Sequence, residues 1–319
     1  MVYAMDTEVT CKIFSDERSR ESDLVTNELK KLEKKLSRFV KKSEVCKINS
    51  NAGKKPVKVS RDTFELLAES KRYSELSGGL FDISIAPLMN LWDYKNSLSV
   101  PENDRIEKTV SLVNYMDLIL NERKQTVMLR KPGQAIDLGA IGKGFAADRC
   151  TALLKNKGID SAFISIGGSV SLIGRKPGGS LWSVGIRHPR KTGELIGVLQ
   201  SESKHIVTSG DYERFFIDKN GRCWHHILNP KTGYPMNSGI ASVTVVAHSA
   251  VQADALSTII FLSGIGEVHR YIEQFADIQI IIIDEKLNIY ITQGLKDFFS
   301  SVQNSEICII GGRKDDEKN

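Results

Sequence analysis

Four stretches of the sequence hold side chains that could bind or move charge. Residues 135–148 read Ala-Ile-Asp-Leu-Gly-Ala-Ile-Gly-Lys-Gly-Phe-Ala-Ala-Asp, placing Asp137, three glycines and Lys143 together. The preceding Thr126-Val127-Met128-Leu129-Arg130 has strand composition, and Phe145 to Leu154 has helical periodicity, so the glycines stand at a strand-to-helix junction. Glycine backbone can approach a ligand closely, and the free N–H groups of a helix start attract anions, which reads as a phosphate cradle with Lys143 as counter-charge. The spacing matches neither the P-loop nor the dinucleotide fingerprint. A tight left-handed turn between strand and helix would use the same glycines.

The other three stretches are equally two-sided. Leu80 to Trp92 is apolar except for Asp82, Ser84 and Asn90, so Asp82 needs partners; capping the turn after Gly79 would supply them. His225-His226-Ile227-Leu228-Asn229-Pro230 leads into a turn rich in proline and glycine, where side chains are positioned rather than packed. Chemistry alone does not rank His225 against His226 as a base, and either can be a hydrogen-bonding residue at a strand end. In Ala250 to Gly264, Asp254 and Thr258 are four apart and share a helix face. Two oxygen donors so placed suit a hard cation such as Mg²⁺, which takes one or two carboxylates plus phosphate and water. The alternative is a threonine bonded to the preceding turn and an aspartate at the rim.

The elements that must position these residues are legible in outline. Residues 8–14 read as an edge strand, followed by a helix over Leu29–Val40 and a polar turn from Ser43 to Asn49. A second helix runs from about Asp62 to Leu76, with Ser60 as N-cap, Phe64, Leu67 and Leu76 inward, and Gly78-Gly79 as its stop. Residues 95–125 form a polar loop with a short helix near Ile106–Val113. Strands follow at Ala162–Ile166 and around Trp182, Val184 and Ile186, and Phe215–Trp224 reads as a hairpin with Asn220-Gly221 in a type I′ turn. The tail from Arg313 to Asn319 is expected to be disordered.

The 319 residues suffice for one large core or two modest ones, and the net charge of +5 is too mild and dispersed to indicate nucleic acid. The densest basic run, Lys30 to Lys42, carries Leu29, Leu32, Leu36, Phe39 and Val40 at helical spacing and reads as a solvated helix face. Five cysteines, widely spaced and odd in number, give neither a disulfide framework nor a zinc site. No stretch approaches the roughly 20 apolar residues of a transmembrane segment, Ile278–Ile283 coming nearest. No secretory signal is recognisable, and Met1–Met5 could stand in place of one, so the compartment stays open.

Taken together, the motifs resemble the ApbE-type flavin transferases, FAD:protein FMN transferase. The resemblance is carried, in order, by Met5-Asp6-Thr7, Ser43 with Ile48-Asn49, Gly79-Leu80-Phe81-Asp82, Asp137 to Gly144, Gly167-Gly168, Thr208 to Tyr212, His226 to Gly233 and Ala253 to Thr258. It implies an α+β, two-layer fold with antiparallel sheets flanked by helices, one domain over residues 1–312 with an FAD groove between two intertwined subdomains. It implies FAD contacts from Met5, Phe39, Leu80, Phe81, Asp82, Asp137, Lys143 and the Leu228 backbone. The implied Mg²⁺ ligands are the Ala140 carbonyl, Asp254 and Thr258, with Ser257 nearby, and the implied base is His226, by its H-I-x-x-P position.

The implied reaction moves FMN from FAD onto a Thr or Ser hydroxyl of a partner flavoprotein carrying an S/T-G-A-S/T sequence and releases AMP. The present chain contains no such sequence; Leu138-Gly139-Ala140-Ile141 and Ser238-Gly239-Ile240-Ala241 come nearest, so the acceptor is expected to be a separate protein. The family is often periplasmic or held at the cell surface. The same residues would also serve an Mg²⁺-dependent FAD pyrophosphatase, whereas a flavin-storage protein would need no base. In three places the chain departs from the family pattern: Asp6 replaces a glycine, Phe39 a common tyrosine, and Ser257 a second aspartate found in some members.

Overall fold

The computed structural model describes residues 2–15, 18–302 and 306–311; the expected charged tail and the domain limit at residue 312 lie outside them. A nine-stranded sheet runs through the molecule in the order Val2–Ala4, Thr7–Ile13, Ala162–Ile166, Ser169–Ile173, His205–Gly210, Ile240–Ala247, Gln279–Asp284, Ile289–Thr292 and Ile307–Ile310. All neighbours are antiparallel except the last pair. This is the expected α+β class with antiparallel sheets flanked by helices.

The central strands are apolar on both faces because both faces are covered. Along Gln279–Asp284, Ile280 and Ile282 join the core beneath the helices, while Ile281 and Ile283 join a second core against the three-stranded sheet of Trp182–Arg187, Leu195–Ser201 and Phe299–Ser301. The period-two alternation of a strand divides one isoleucine run between two cores. A third cluster, built on Leu88, Trp92, Ile106, Phe216, Trp224 and Leu228, lies under the hairpin of Phe215–Ile217 and Cys223–His225.

Several local expectations change. The strand read at residues 8–14 is not an edge: Val2–Ala4 pairs with it through a two-residue turn, too short to leave a periodic signal. The first helix is Arg18–Leu36, so Phe39 lies beyond its end, 62% exposed. Ser43–Asn49 is no turn; Ser43 Oγ accepts from the Cys46 N–H and caps the helix Glu44–Ser50, with Val45 and Ile48 buried one turn apart. Ser60 begins the helix Arg61–Leu76 without a side-chain cap, its N–H and hydroxyl both donating to Glu44. The short helix is Asn103–Val110. In the hairpin loop only Gly221 has positive φ; Asp218 accepts from the Asn220 and Arg222 N–H groups, an Asx-type loop rather than a type I′ pair.

Two helices carry Lys143, Asp254 and Thr258. Ala250–Ser263 is apolar almost all round and buried between the sheet and the helix Gly142–Asn156. They meet at Gly144, where an added Cβ would lie 2.3 Å from the Ala250 carbonyl oxygen and 2.8 Å from Asp254 Cβ. One turn further on, Asp148 accepts from the Ala250 and Val251 N–H groups and from Ser249 Oγ, capping the second helix from the side of the first. Gly144→Ala should therefore force the helices apart and destabilise the fold by about 1–3 kcal/mol or more, since backbone cannot yield as a flexible side chain does. Urea unfolding checks this, and a variant as stable as wild type would contradict the packing.

Candidate functional site

The glycine-rich junction is a packing device. The Gly139 N–H donates to Asp137 Oδ1 (2.8 Å), the Gly142 N–H to the Leu138 carbonyl (2.7 Å) and the Gly144 N–H to Asp254 Oδ2 (2.8 Å). None of the three has positive φ. Neither the anion cradle of glycine amides nor the left-handed turn is what they form. Their amides serve the protein, and Lys143, between two of them, faces a cavity of about 350 Å³.

Every residue expected at the site lines this cavity except Ser257. Ser257 is fully buried, donating to the Asp254 carbonyl and meeting Ser209 Oγ at 2.8 Å, so it supports the wall from behind. Asp254 is buried rather than at a rim, and Thr258 Oγ1 pairs with Ser209 Oγ at 3.2 Å rather than with its own preceding turn. Ser209 thus ties the strand His205–Gly210 to the helix bearing Asp254. Asp82 is saturated: Oδ1 accepts from the Ser84 N–H and hydroxyl (both 2.7 Å) and Oδ2 from the Tyr115 N–H (2.8 Å). It caps the turn that follows it and not the one after Gly79.

Two cationic cavity residues had no assigned role in the sequence. Arg38, inside the basic run read as a solvated face, turns inward and forms a 2.7 Å ion pair with Asp137. Arg214, just after the Thr208–Tyr212 motif, lies in the wall, and its carbonyl accepts the His226 N–H at 3.0 Å. Neither gave a signal: an arginine in a charged segment looks the same whichever way it points.

The two histidines are now distinguishable. His225 is buried, with Nε2 2.9 Å from the Met236 carbonyl and Nδ1 accepting from the Ile227 N–H at 3.3 Å, so its ring holds the backbone. His226, one residue on, lines the cavity; its Nδ1 is buried and makes no hydrogen bond of ordinary geometry, although the Arg214 backbone beside the ring favours its protonated form. Burial, with the Arg214, His225 and Lys143 charges adding to it, pushes its pKa down to about 3. Burial also raises the Asp254 carboxyl, opposed by the Lys143 charge and the Gly144 N–H. Among the described residues no three His, Cys, Asp or Glu side chains cluster as a metal site. A hard cation would instead draw on Asp254, Thr258 and backbone oxygen such as that of Ala140, which fits a buried carboxylate beside a hydroxyl with only one cationic side chain near it.

A histidine whose folded pKa lies below its unfolded value of 6.5 favours the fold above that value and weakens it as the pH falls toward about 3. His226→Asn, which cannot be charged, should accordingly lose less melting temperature between pH 6.5 and 4 than wild type. Equal losses in thermal scans across that window would show that the ring titrates normally.

Comparison with known proteins agrees with this geometry. A model of the ApbE family matches residues 5–282. An FAD:protein FMN transferase of Klebsiella pneumoniae is 32% identical over 302 residues, covering 94% of this chain and 93% of that protein. One from Treponema pallidum is also 32% identical, covering 80% and 74%. The crystal structure of the ApbE protein of Thermotoga maritima superimposes with a TM-score of 0.84 at 31% identity, over 93% of this chain and 97% of the other. The flavin transferase ApbE of Vibrio cholerae gives 0.82 at 25% identity with the same coverages. With the family model spanning residues 5–282 and the fold shared over 93% of the chain, the protein belongs to the ApbE family.

Proposed function

We propose that this protein is an Mg²⁺-dependent FAD:protein FMN transferase, moving FMN from FAD to a Thr or Ser hydroxyl of a separate flavoprotein as a phosphoester and releasing AMP. The observation that carries the reading is the half-buried His226 ring on a cavity wall shared with Lys143, Asp254 and Thr258. Burial keeps this imidazole neutral, and a proton acceptor is what phosphoryl transfer to a hydroxyl needs.

In this reading the apolar wall of Met5, Phe39, Leu80 and Phe81 receives the flavin, and Lys143 binds the pyrophosphate. Asp254, Thr258 and the Ala140 carbonyl would hold Mg²⁺, which supplies charge neutralisation on the phosphate oxygens when bound. His226 accepts the acceptor's hydroxyl proton on its ring. An imidazole held near 3 is a weak base, but anionic phosphates nearby favour its protonated form and raise its pKa toward the working range. His225 and the Arg214 carbonyl fix where that ring sits.

Incubation with FAD, Mg²⁺ and a protein carrying an S/T-G-A-S/T sequence should give a fluorescent acceptor band on a denaturing gel. Free FMN and AMP with no labelled acceptor would make the protein a pyrophosphatase instead. His226→Ala should lower turnover roughly 10²–10⁴-fold with a much smaller change in FAD affinity. Asp254→Ala should abolish turnover in EDTA-treated protein resupplied with Mg²⁺ while leaving the fold intact by circular dichroism. Wild-type turnover in either variant would remove that residue from the reaction.

A further inference from the structure

The turn between the first two strands holds a residue its backbone does not favour. Met5 and Asp6 are the central pair of the hairpin that sets Ala4 opposite Thr7, with φ of 59° and 58°. Glycine or asparagine is preferred at such a second position, because a side chain in the left-handed region crowds the backbone. The Asp6 side chain reaches three other groups: Lys95 Nζ at 2.7 Å, Arg214 Nη2 at 3.4 Å and the Tyr3 hydroxyl at 3.3 Å. Burial tends to raise its carboxyl, but Lys95 and Arg214 outweigh that and hold it below the usual carboxylate range, so it is charged at neutral pH.

What these partners touch gives the contacts a direction. Lys95 Nζ lies 5.3 Å from the centre of the Phe39 ring, which the Arg38 guanidinium approaches at 4.4 Å. Phe39 is an exposed ring on the cavity wall, unsupported by core packing, so cations beside it are what hold it. Arg214 stands on the other side, its backbone fixing His226. Asp6 therefore joins three segments distant in sequence, around residues 6, 95 and 214, where the aromatic wall meets the histidine segment.

We propose that Asp6 is a positioning residue of the cavity: its carboxylate clasps Lys95 and Arg214 across the mouth, holding Lys95 against Phe39 and Arg214 beside His226, and so slows the escape of bound FAD. The proposal rests on the FAD reading above. Two partly exposed ion pairs of ordinary strength correspond to a change of roughly three- to tenfold, and the clasp acts on that scale.

The test compares wild type with Asp6→Asn, which keeps the shape and tolerates the turn, and Asp6→Gly, which suits the turn best. FAD dissociation is followed by recovery of flavin fluorescence, and melting is followed without ligand. Both variants should melt within a few degrees of wild type yet release FAD roughly fivefold faster, with KM for FAD raised and kcat little changed. Lys95→Met should behave likewise, and adding it to Asp6→Asn should produce less than the product of the separate effects. Wild-type release rates in both Asp6 variants would overturn the clasp. So would faster release in Asp6→Gly alone, which would assign the effect to turn flexibility. If wild type binds no FAD, the functional reading itself fails and the clasp with it; binding by wild type with unaltered variants refutes only the clasp.

Discussion

The site depends on one contact between two helices. The Gly144 N–H reaches Asp254 Oδ2 only because Gly144 has no Cβ and its backbone lies against the Ala250 carbonyl. That approach puts Lys143 and Asp254, one on each helix, into the same cavity wall. Asp148 closes the other end of the contact, and His205 Nε2 reaches it from the sheet at 3.4 Å while Nδ1 meets Ser171 at 2.7 Å. Serine, histidine and aspartate in line suggest a catalytic triad, but Ser171 and His205 are buried and the hydroxyl faces the wrong ring nitrogen for that chemistry. Their work is to fix the helix start that carries Asp254.

A buried carboxylate is costly, and the fold bears this one incompletely compensated. Lys143 and one amide oppose the desolvation of Asp254, and the carboxyl is still raised. A carboxyl raised in the folded state takes stability away as the pH rises through its value, so the ligand-free protein carries a penalty at neutral pH. Asp82 and Asp137 show the contrast. Asp82 is capped by backbone and hydroxyl donors, and Asp137 is held by Arg38 and the Gly139 N–H. Of these three carboxylates, Asp254 is the one left with capacity for a cation.

The sequence shows which residues line the cavity better than it shows what each does there. Asp254 and Thr258 fall on one helix face because helical period fixes that, whatever the tertiary context. The glycines of residues 139–144 were equally visible, but glycine permits close approach to a ligand and to another helix alike, and only the partner 110 residues away decides between them. Ser257 and Thr258 are adjacent hydroxyls that no local pattern separates; helix rotation turns one to the cavity and the other to Ser209 and the backbone. Short elements escaped for a related reason. Val2–Ala4 and Glu44–Ser50 are too brief for periodicity, and a cap at Ser43 with two buried residues made a helix of what reads as a turn.

The placement of His226 follows from rigidity built next to it. His225 and His226 leave the hairpin strand in succession, and neighbouring residues of an extended chain point to opposite sides. The inward ring, His225, is bound at both nitrogens, and its own carbonyl accepts from the Tyr94 hydroxyl at 2.7 Å. Trp92, stacked with Tyr94 at 5.8 Å, donates Nε1–H to the Gly233 carbonyl at 2.8 Å and holds the far end of the same turn. Gly233 has positive φ, and an added Cβ would lie 2.6 Å from Ile106, so the turn fits against the aromatic cluster only with glycine there. With its flanks tied, the segment holds the His226 ring in the cavity wall. A half-buried imidazole on the cavity wall is thus imposed by the packing around it, the preorganisation that a proton acceptor would use.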